Sequence, residues 1–317
     1  MPRVALIVNP IATRLRRGHR ERVARALGPV GLEWALATEA PGDAARLARL
    51  AADRGAEVVV TLGGDGTAAD VAGALAGRPV AMAPLPAGST NVFGRAAGWP
   101  AALDVAIAAL AARVASGETR ALTLGRVEAG GVERTFCLNA GVGIDAETTA
   151  WVEARPQLKR RLKQGAFVIG ATRAGLHRGP RLSVRADDGA EVPAATLIAA
   201  CGGPYAWLGP RPLDLVPGAD FDGVLAWMAV LRARPHELAR LTARALRGGD
   251  LQGRAALMHG RAGRELVVRA PTPVAVQADG EPLGRHAEVR LRPGPALLLV
   301  PFSREPLKEI GDPADVG

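Results

Sequence analysis

The 317-residue chain is 48% hydrophobic and 22% charged, the balance of a packed globular protein, and its length exceeds one ordinary core, so two domains are expected. Its formal charge of +9 favours an anionic partner, yet one Tyr, five Phe and no recognisable binding motif argue against nucleic acid, leaving a nucleotide or an anionic membrane surface. Two separated cysteines, Cys137 and Cys201, build neither a disulfide framework nor a metal cluster. With no signal-peptide pattern and no apolar run of the roughly 18–20 residues that cross a bilayer, a cytoplasmic chain is expected.

The first third alternates strand and helix signals. Strands are predicted at Val4–Val8, Leu32–Ala37, Glu57–Leu62 and Val80–Ala83, and helices at His19–Leu27, Asp43–Ala52, Ala68–Leu75 and Ala101–Ala115. Strands separated by helices of this length predict βαβ units on a parallel sheet, a Rossmann-like α/β nucleotide-binding domain over residues 1–120 with the tail 301–317 lying back on it. The pattern then changes. Hairpins are predicted at Ala121–Glu128 with Glu133–Asn139, and at Arg181–Ala186 with Glu191–Ala199. Further strands follow at Val224–Val230, Glu265–Ala270, Val274–Ala278, Glu288–Arg292 and Ala296–Val300, interrupted by helical spacing near Gln164–Leu176 and Glu237–Leu246. Residues 121–300 thus read as a β-rich, sandwich-like second domain.

Two loops carry the chemistry of the first domain. Val58–Leu62 runs into Gly63-Gly64-Asp65-Gly66-Thr67, where a strand stops, glycines allow a tight turn and a helix begins. Bare amides and a helix N-terminus suit phosphate oxygens. Asp65 would repel phosphate unless a Mg²⁺ or its water lies between; the other reading is a tight turn in which Asp65 and Thr67 cap the helix. The second loop, Pro86-Ala87-Gly88-Ser89-Thr90-Asn91, follows the next strand and reaches the same sheet edge, where ligands of open α/β sheets collect. Asp279-Gly280-Glu281 by itself reads as a hairpin turn, as Asp188-Gly189 does.

Together these segments resemble the diacylglycerol kinase catalytic family, which includes bacterial lipid kinases and, more distantly, sphingosine and ceramide kinases. Asn9-Pro10 resembles the first nucleotide loop, Gly63–Thr67 the Gly-Gly-Asp-Gly-Thr signature, and Pro86–Asn91 the Pro-x-Gly-Ser/Thr-x-Asn loop. Leu138–Ala146 resembles the segment opening the second domain, and Asp279-Gly280-Glu281 the late Asp-Gly-Glu. The resemblance implies transfer of phosphate from ATP to a lipid hydroxyl, diacylglycerol to phosphatidic acid first among them, in phospholipid biosynthesis. It implies that Asn9, Pro10, Thr13, Thr38, Gly63, Gly64, Asp65, Gly66, Thr67, Gly88, Ser89 and Asn91 hold ATP, and that Glu281 accepts the proton with Asp279 beside it. A Mg²⁺ is implied at Asp222 with the carbonyls of Ala219 and Val224, besides the metal role of Asp65.

The chain departs from the family pattern at Ile11-Ala12-Thr13, at Val92 after Asn91, and at Thr123, where an acidic residue is common. Val92 and Thr123 keep a nucleotide- or lipid-binding protein without catalysis in view, and Gly63–Thr67 is shared with NAD kinases, the other alternative. Arg155, Lys159, Arg160, Arg161, Lys163, Arg173, His177, Arg178 and Arg181 form a basic stretch interleaved with apolar residues. It reads either as a solvated helical face or as a peripheral contact with anionic lipid. Oligomeric state, a homodimer included, is left open.

Overall fold

The protein is described here from a computed structural model covering residues 1–155, 157, 169–170, 173, 181–232, 234–249 and 251–302. The chain divides into two compact units: Met1–Ala121 joined by the chain from Leu298, and Leu122–Leu297.

In the first unit, β1 (Val4–Val8), α1 (His19–Leu27), β2 (Leu32–Ala37), α2 (Asp43–Asp53), β3 (Val58–Gly63), α3 (Asp65–Leu75), β4 (Ala81–Pro86), α4 (Val92–Ala96) and α5 (Leu103–Ala115) follow in order. The sheet runs β4-β3-β1-β2, every pair parallel. Leu298 and Leu299 extend it beyond β4 at Ala81 and Met82. Strands β1, β3 and β4 are buried at every position, which is why they read as unbroken apolar runs: helices cover both faces of a parallel sheet. The edge strand β2 alternates between half-buried and exposed positions. Helix α2 buries Ala44, Leu47, Ala48 and Ala51, and α5 buries Leu103, Ala106, Ile107, Leu110 and Val114, the spacing of one helical face. The Trp99 indole donates to the Val300 carbonyl at 2.9 Å and stacks obliquely near Phe302.

Two elements differ from the sequence expectation. Strand β4 continues past Ala83 through Pro84 and Pro86. A proline cannot donate to a ladder, but the described neighbour on that flank reaches only Ala81 and Met82, so the missing donors disturb nothing. The five-residue α4 was not foreseen, because one turn shows no periodicity.

The second unit opens with β5 (Arg120–Ala129), β6 (Val132–Phe136), β7 (Asn139–Gly143) and α6 (Ile144–Glu153). It continues with β8 (Leu182–Ala186), β9 (Val192–Ala194), β10 (Thr196–Ala200), β11 (Ala206–Leu208), β12 (Arg211–Leu213), β13 (Leu225–Val230), a helix α7 (Pro235–Leu246), β14 (Leu257–Ala262), β15 (Leu266–Ala278) and β16 (Glu281–Leu299). The pairs β5–β6, β8–β9, β10–β13, β13–β14 and β15–β16 are antiparallel, and β7 lies between β10 and β15. Ile198, Met228, Val230 and Leu257 centre one core, onto which α7 lays Leu238 and Leu241. The fold is therefore a parallel-sheet α/β unit followed by a unit of antiparallel strands.

The segment expected as one strand at Glu133–Asn139 is two. The chain leaves β5 after Phe136 and enters the sheet centre as β7. Conversely, the runs expected at Glu265–Ala270 and Val274–Ala278 are one strand, β15, whose register shifts between Arg269 and Val274 across Pro271 and Pro273. Of the basic stretch, Arg155, Arg173 and Arg181 are described. Lys159, Arg160, Arg161, Lys163, His177 and Arg178 lie outside the described residues, as do most of Gln164–Leu176 and the tail beyond Phe302. Among the described residues no helix is long and apolar enough to cross a membrane.

Candidate functional site

The order β4-β3-β1-β2 means that the chain steps from β1 to one side and then returns to the other. The carboxyl ends of β1 and β3 therefore flank a topological switch point, where open α/β sheets bind ligands. Asn9 follows β1 and Gly63-Gly64 close β3. The two ends are tied, since the Asn9 side-chain amide donates to Thr67 Oγ1 at 3.0 Å and the Asn9 backbone donates to the Leu62 carbonyl at 3.0 Å. Asn9 Oδ1 accepts the Ile11 amide at 3.1 Å, which turns the loop that carries Pro10 and exposed Thr13. Thr38 follows β2 at the same edge and donates its amide to the Val8 carbonyl.

The two glycine-bearing loops touch backbone to backbone. A Cβ built on Gly88 would stand 2.5 Å from the Cα of Gly64, and one on Gly64 3.3 Å from the Cα of Gly88. No side chain fits between them. Gly63 is constrained differently, its added Cβ meeting the Thr67 side chain at 2.6 Å, whereas Gly66 faces open space. Asn91, left-handed at φ 51°, spends its amide on one residue: Oδ1 accepts the Gly88 amide at 2.8 Å and Nδ2 donates to the Gly88 carbonyl at 2.9 Å. It closes the loop instead of presenting its amide to a ligand. Ser89 is exposed, and Arg14 donates to its carbonyl at 2.7 Å and to that of Ala101 at 3.2 Å.

Asp65 is likewise occupied. Its carboxylate accepts from Thr90 Oγ1 at 2.9 Å and from the Phe93 amide at 3.1 Å. Burial pushes its carboxyl above the ordinary value, and the bonds from Thr90, Phe93, Val92 and Asn91 oppose that shift. The carboxylate thus pins the start of α4 to the start of α3. Val92, a departure from the family pattern, contributes through its backbone.

In the second unit the β15–β16 hairpin turns on Asp279 and Gly280, both with positive φ at 48° and 86°, as a two-residue hairpin requires. The Asp279 carboxylate accepts the amides of Cys137 at 2.5 Å, Leu138 at 2.9 Å and Asn139 at 3.2 Å. Burial raises its carboxyl to about 6, against the pull of these three amides and of Arg134. Glu281, two residues on, has a side chain 54% exposed and pairs with Arg134 of β6. Behind the turn, buried Gln277 accepts the Gly280 amide at 2.8 Å and donates to Asp145 at 2.8 Å and to Asn139 Oδ1 at 3.3 Å. The Tyr205 hydroxyl donates to the other Asp145 oxygen at 2.7 Å. Arg134, Gln277, Asp145 and Tyr205 went unnoticed in the sequence, because each acquires its meaning only from a partner on a distant strand.

The implied metal loop holds something else. Asp222 pairs with Arg261, whose second guanidinium nitrogen donates to the Gly218 carbonyl at 2.9 Å. The residues present do not fit a divalent cation held by Asp222, Ala219 and Val224, because a fixed positive charge already occupies the carboxylate. Among the described residues no group of three or more His, Cys, Asp or Glu side chains is placed to hold a metal ion.

A parallel sheet with glycine loops gathered at its switch point, followed by an antiparallel unit with a carboxylate-bearing hairpin, defines a nucleotide-dependent phosphotransferase of the two-unit kinase kind. The model of the diacylglycerol kinase catalytic domain matches residues 3–127. A protein of Pseudomonas fluorescens named "Probable lipid kinase YegS-like" is 31% identical over 264 residues, 80% of each chain. The chain belongs to the diacylglycerol kinase catalytic-domain family and is a lipid kinase, a class whose phosphate donor is ATP. The crystal structure of a diacylglycerol kinase from Bacillus anthracis shares the fold with a TM-score of 0.68 at 18% identity, over 94% of this chain and 96% of that one. An NAD kinase from Archaeoglobus fulgidus in complex with ATP shares it more loosely, with a TM-score of 0.54 at 15% identity over 96% and 94%.

Proposed function

We propose that the protein transfers the γ-phosphoryl group of MgATP to the free hydroxyl of a diacylglycerol, giving phosphatidic acid for phospholipid biosynthesis at the cytoplasmic face of a membrane. The observation that carries the nucleotide half is the backbone contact of Gly64 with Gly88 beside the Asn9–Thr67 bond. Such a cradle offers amides and the N-terminus of α3 to phosphate oxygens, with no side chain in the way. Asn9, Pro10, Thr13, Thr38, Gly63–Thr67, Gly88 and Ser89 are assigned to the nucleotide, with Asn91 and Asp65 holding the loops in shape. Mg²⁺ enters as part of the MgATP substrate. The choice of diacylglycerol is supported by the family's name, and the net charge of +9 suits the anionic membrane surface in which such a lipid lies.

In the transfer, the lipid hydroxyl oxygen bonds to the γ-phosphorus while the bond to the β,γ-bridging oxygen breaks, and ADP leaves. The hydroxyl proton passes to Glu281, the exposed carboxylate of the Asp279-Gly280-Glu281 turn. Arg134 fixes its orientation, and Asp279 holds the turn against the Cys137–Asn139 amides. Most of the acceleration comes from alignment and charge neutralisation, and a positioned base adds on the order of 10²–10⁴-fold. Glu281→Gln is expected to lower kcat on diacylglycerol by at least about 100-fold while leaving the affinity for ATP, measured by nucleotide fluorescence titration, unchanged. An unaltered kcat would remove Glu281 from the mechanism.

A further inference from the structure

The loop between β12 and β13 reverses direction through three left-handed residues, Gly218, Phe221 and Gly223, with φ 85°, 55° and 89°. It is a junction of the second unit. The Phe221 amide donates to the Cys201 carbonyl at 2.6 Å, and its carbonyl accepts the Thr123 amide at 3.0 Å. The Cys201 amide in turn donates to the Leu138 carbonyl, and the Leu138 amide donates to Asp279. The loop therefore supports the peptide segment on which the Asp279 turn rests. Its ring, buried to 5% exposure, lies where a Cβ on Gly202 would be, 2.0 Å from the nearest ring carbon.

The loop brings the Gly218 carbonyl and the Asp222 carboxylate within reach of one cationic side chain, that of Arg261. Arg261 lies opposite Ala226 in the β13–β14 ladder, so strand pairing returns its side chain to the loop just before β13. One guanidinium nitrogen meets Asp222 Oδ2, another donates to the Gly218 carbonyl at 2.9 Å, and Asp222 Oδ1 accepts the Val224 amide at 3.3 Å. A guanidinium's planar fork serves a carboxylate and a carbonyl at once from two nitrogens held in fixed relation. The two side chains are 46% and 42% exposed, so the pair fixes the loop's shape more than it adds stability.

We propose that Arg261 is a built-in cation: its guanidinium takes the place and the charge of a divalent metal ion at the 218–224 loop, so this loop needs no metal of its own.

The full-length protein free of nucleotide is titrated with Mn²⁺ and followed by electron paramagnetic resonance, and its thermal unfolding is compared in EDTA and in MgCl₂. The wild type is expected to show no Asp222-dependent Mn²⁺ site and no Mg²⁺ shift of Tm. Arg261→Met is expected to keep a Tm close to the wild type's in EDTA, to bind Mn²⁺ at least about tenfold more tightly than the wild type, as removal of a like charge a few ångströms away near a surface allows, and to gain Tm with Mg²⁺. Adding Asp222→Asn to that variant is expected to abolish both gains, and Arg261→Lys to keep the wild type's indifference to metal. An Asp222-dependent Mn²⁺ site in the wild type, or an Arg261→Met protein as indifferent to metal as the wild type, would overturn the proposal. The wild-type titration decides it alone if the methionine variant does not fold.

Discussion

Replacing Asp279 by Asn isolates a charge that the fold holds at a cost. The carboxyl is raised from an ordinary 3.8 to about 6, chiefly by burial, a displacement of about 2 units worth about 3 kcal/mol. The sign follows from linkage. A carboxyl whose folded pKa lies above its unfolded value favours the folded state fully below the unfolded pKa, and that contribution is lost as pH rises through about 6. The wild type should thus lose about 3 kcal/mol on this account between about pH 4 and pH 7, while the Asn variant should not. A second effect is independent of pH. Leu138 and Asn139 donate to Oδ1, which Asn can retain, but the Cys137 amide donates to Oδ2, where an NH₂ group would leave that amide unmade at about 1–3 kcal/mol. Absolute stability at one pH therefore mixes two opposing effects, and the difference between two pH values separates them. Urea unfolding of both proteins across this range should show the variant gaining on the wild type by about 3 kcal/mol as pH rises. Parallel profiles would refute the claim that Asp279 is a desolvated carboxyl clamped by amides.

The two glycine loops and the buried network make further claims. Gly88→Ala should raise KM for ATP strongly, because its Cβ would stand 2.5 Å from the Gly64 Cα and must drive the loops apart. Gly28→Ala, at a position where a Cβ meets nothing within 4 Å and which has no part in the nucleotide loops, should change KM little, and equal effects from the two substitutions would contradict the cradle geometry. Tyr205→Phe removes the donor to Asp145 Oδ1 and should cost about 1–3 kcal/mol in chemical denaturation. No loss there would show that Asp145 finds its partners elsewhere.

The parallel unit was legible because a strand buried on both faces is an unbroken apolar run between glycines and prolines. Val4–Val8 falls where it was expected on that ground, and the alternating edge strand Leu32–Ala37 also lies where it was expected. The antiparallel unit was harder. Nothing local says that the chain abandons β5 after Phe136, or that two runs around Pro271 and Pro273 belong to one strand. The phosphate-type loops were legible from their glycines, but the work of their polar residues was not. Asn91 looked like a ligand for ribose or phosphate and binds Gly88. Asp65 looked like a metal partner and fastens Thr90 and Phe93. Asp279 meets the Cys137 amide across 142 positions of sequence, and Asp222 meets Arg261 across 39. Such pairings are fixed by sheet register, which short motifs do not encode. Thr123, where an acid is common, donates its backbone amide to Phe221, a bond that no side-chain comparison could reveal.

The central claim is that phosphate passes from ATP to a lipid alcohol. Purified protein with γ-labelled ATP, Mg²⁺ and anionic vesicles containing diacylglycerol, with NAD supplied in parallel, tests it most directly. The label should enter the organic phase as phosphatidic acid and be absent from the NAD fraction. Label recovered in NADP, or nucleotide binding with no labelled lipid, would contradict it.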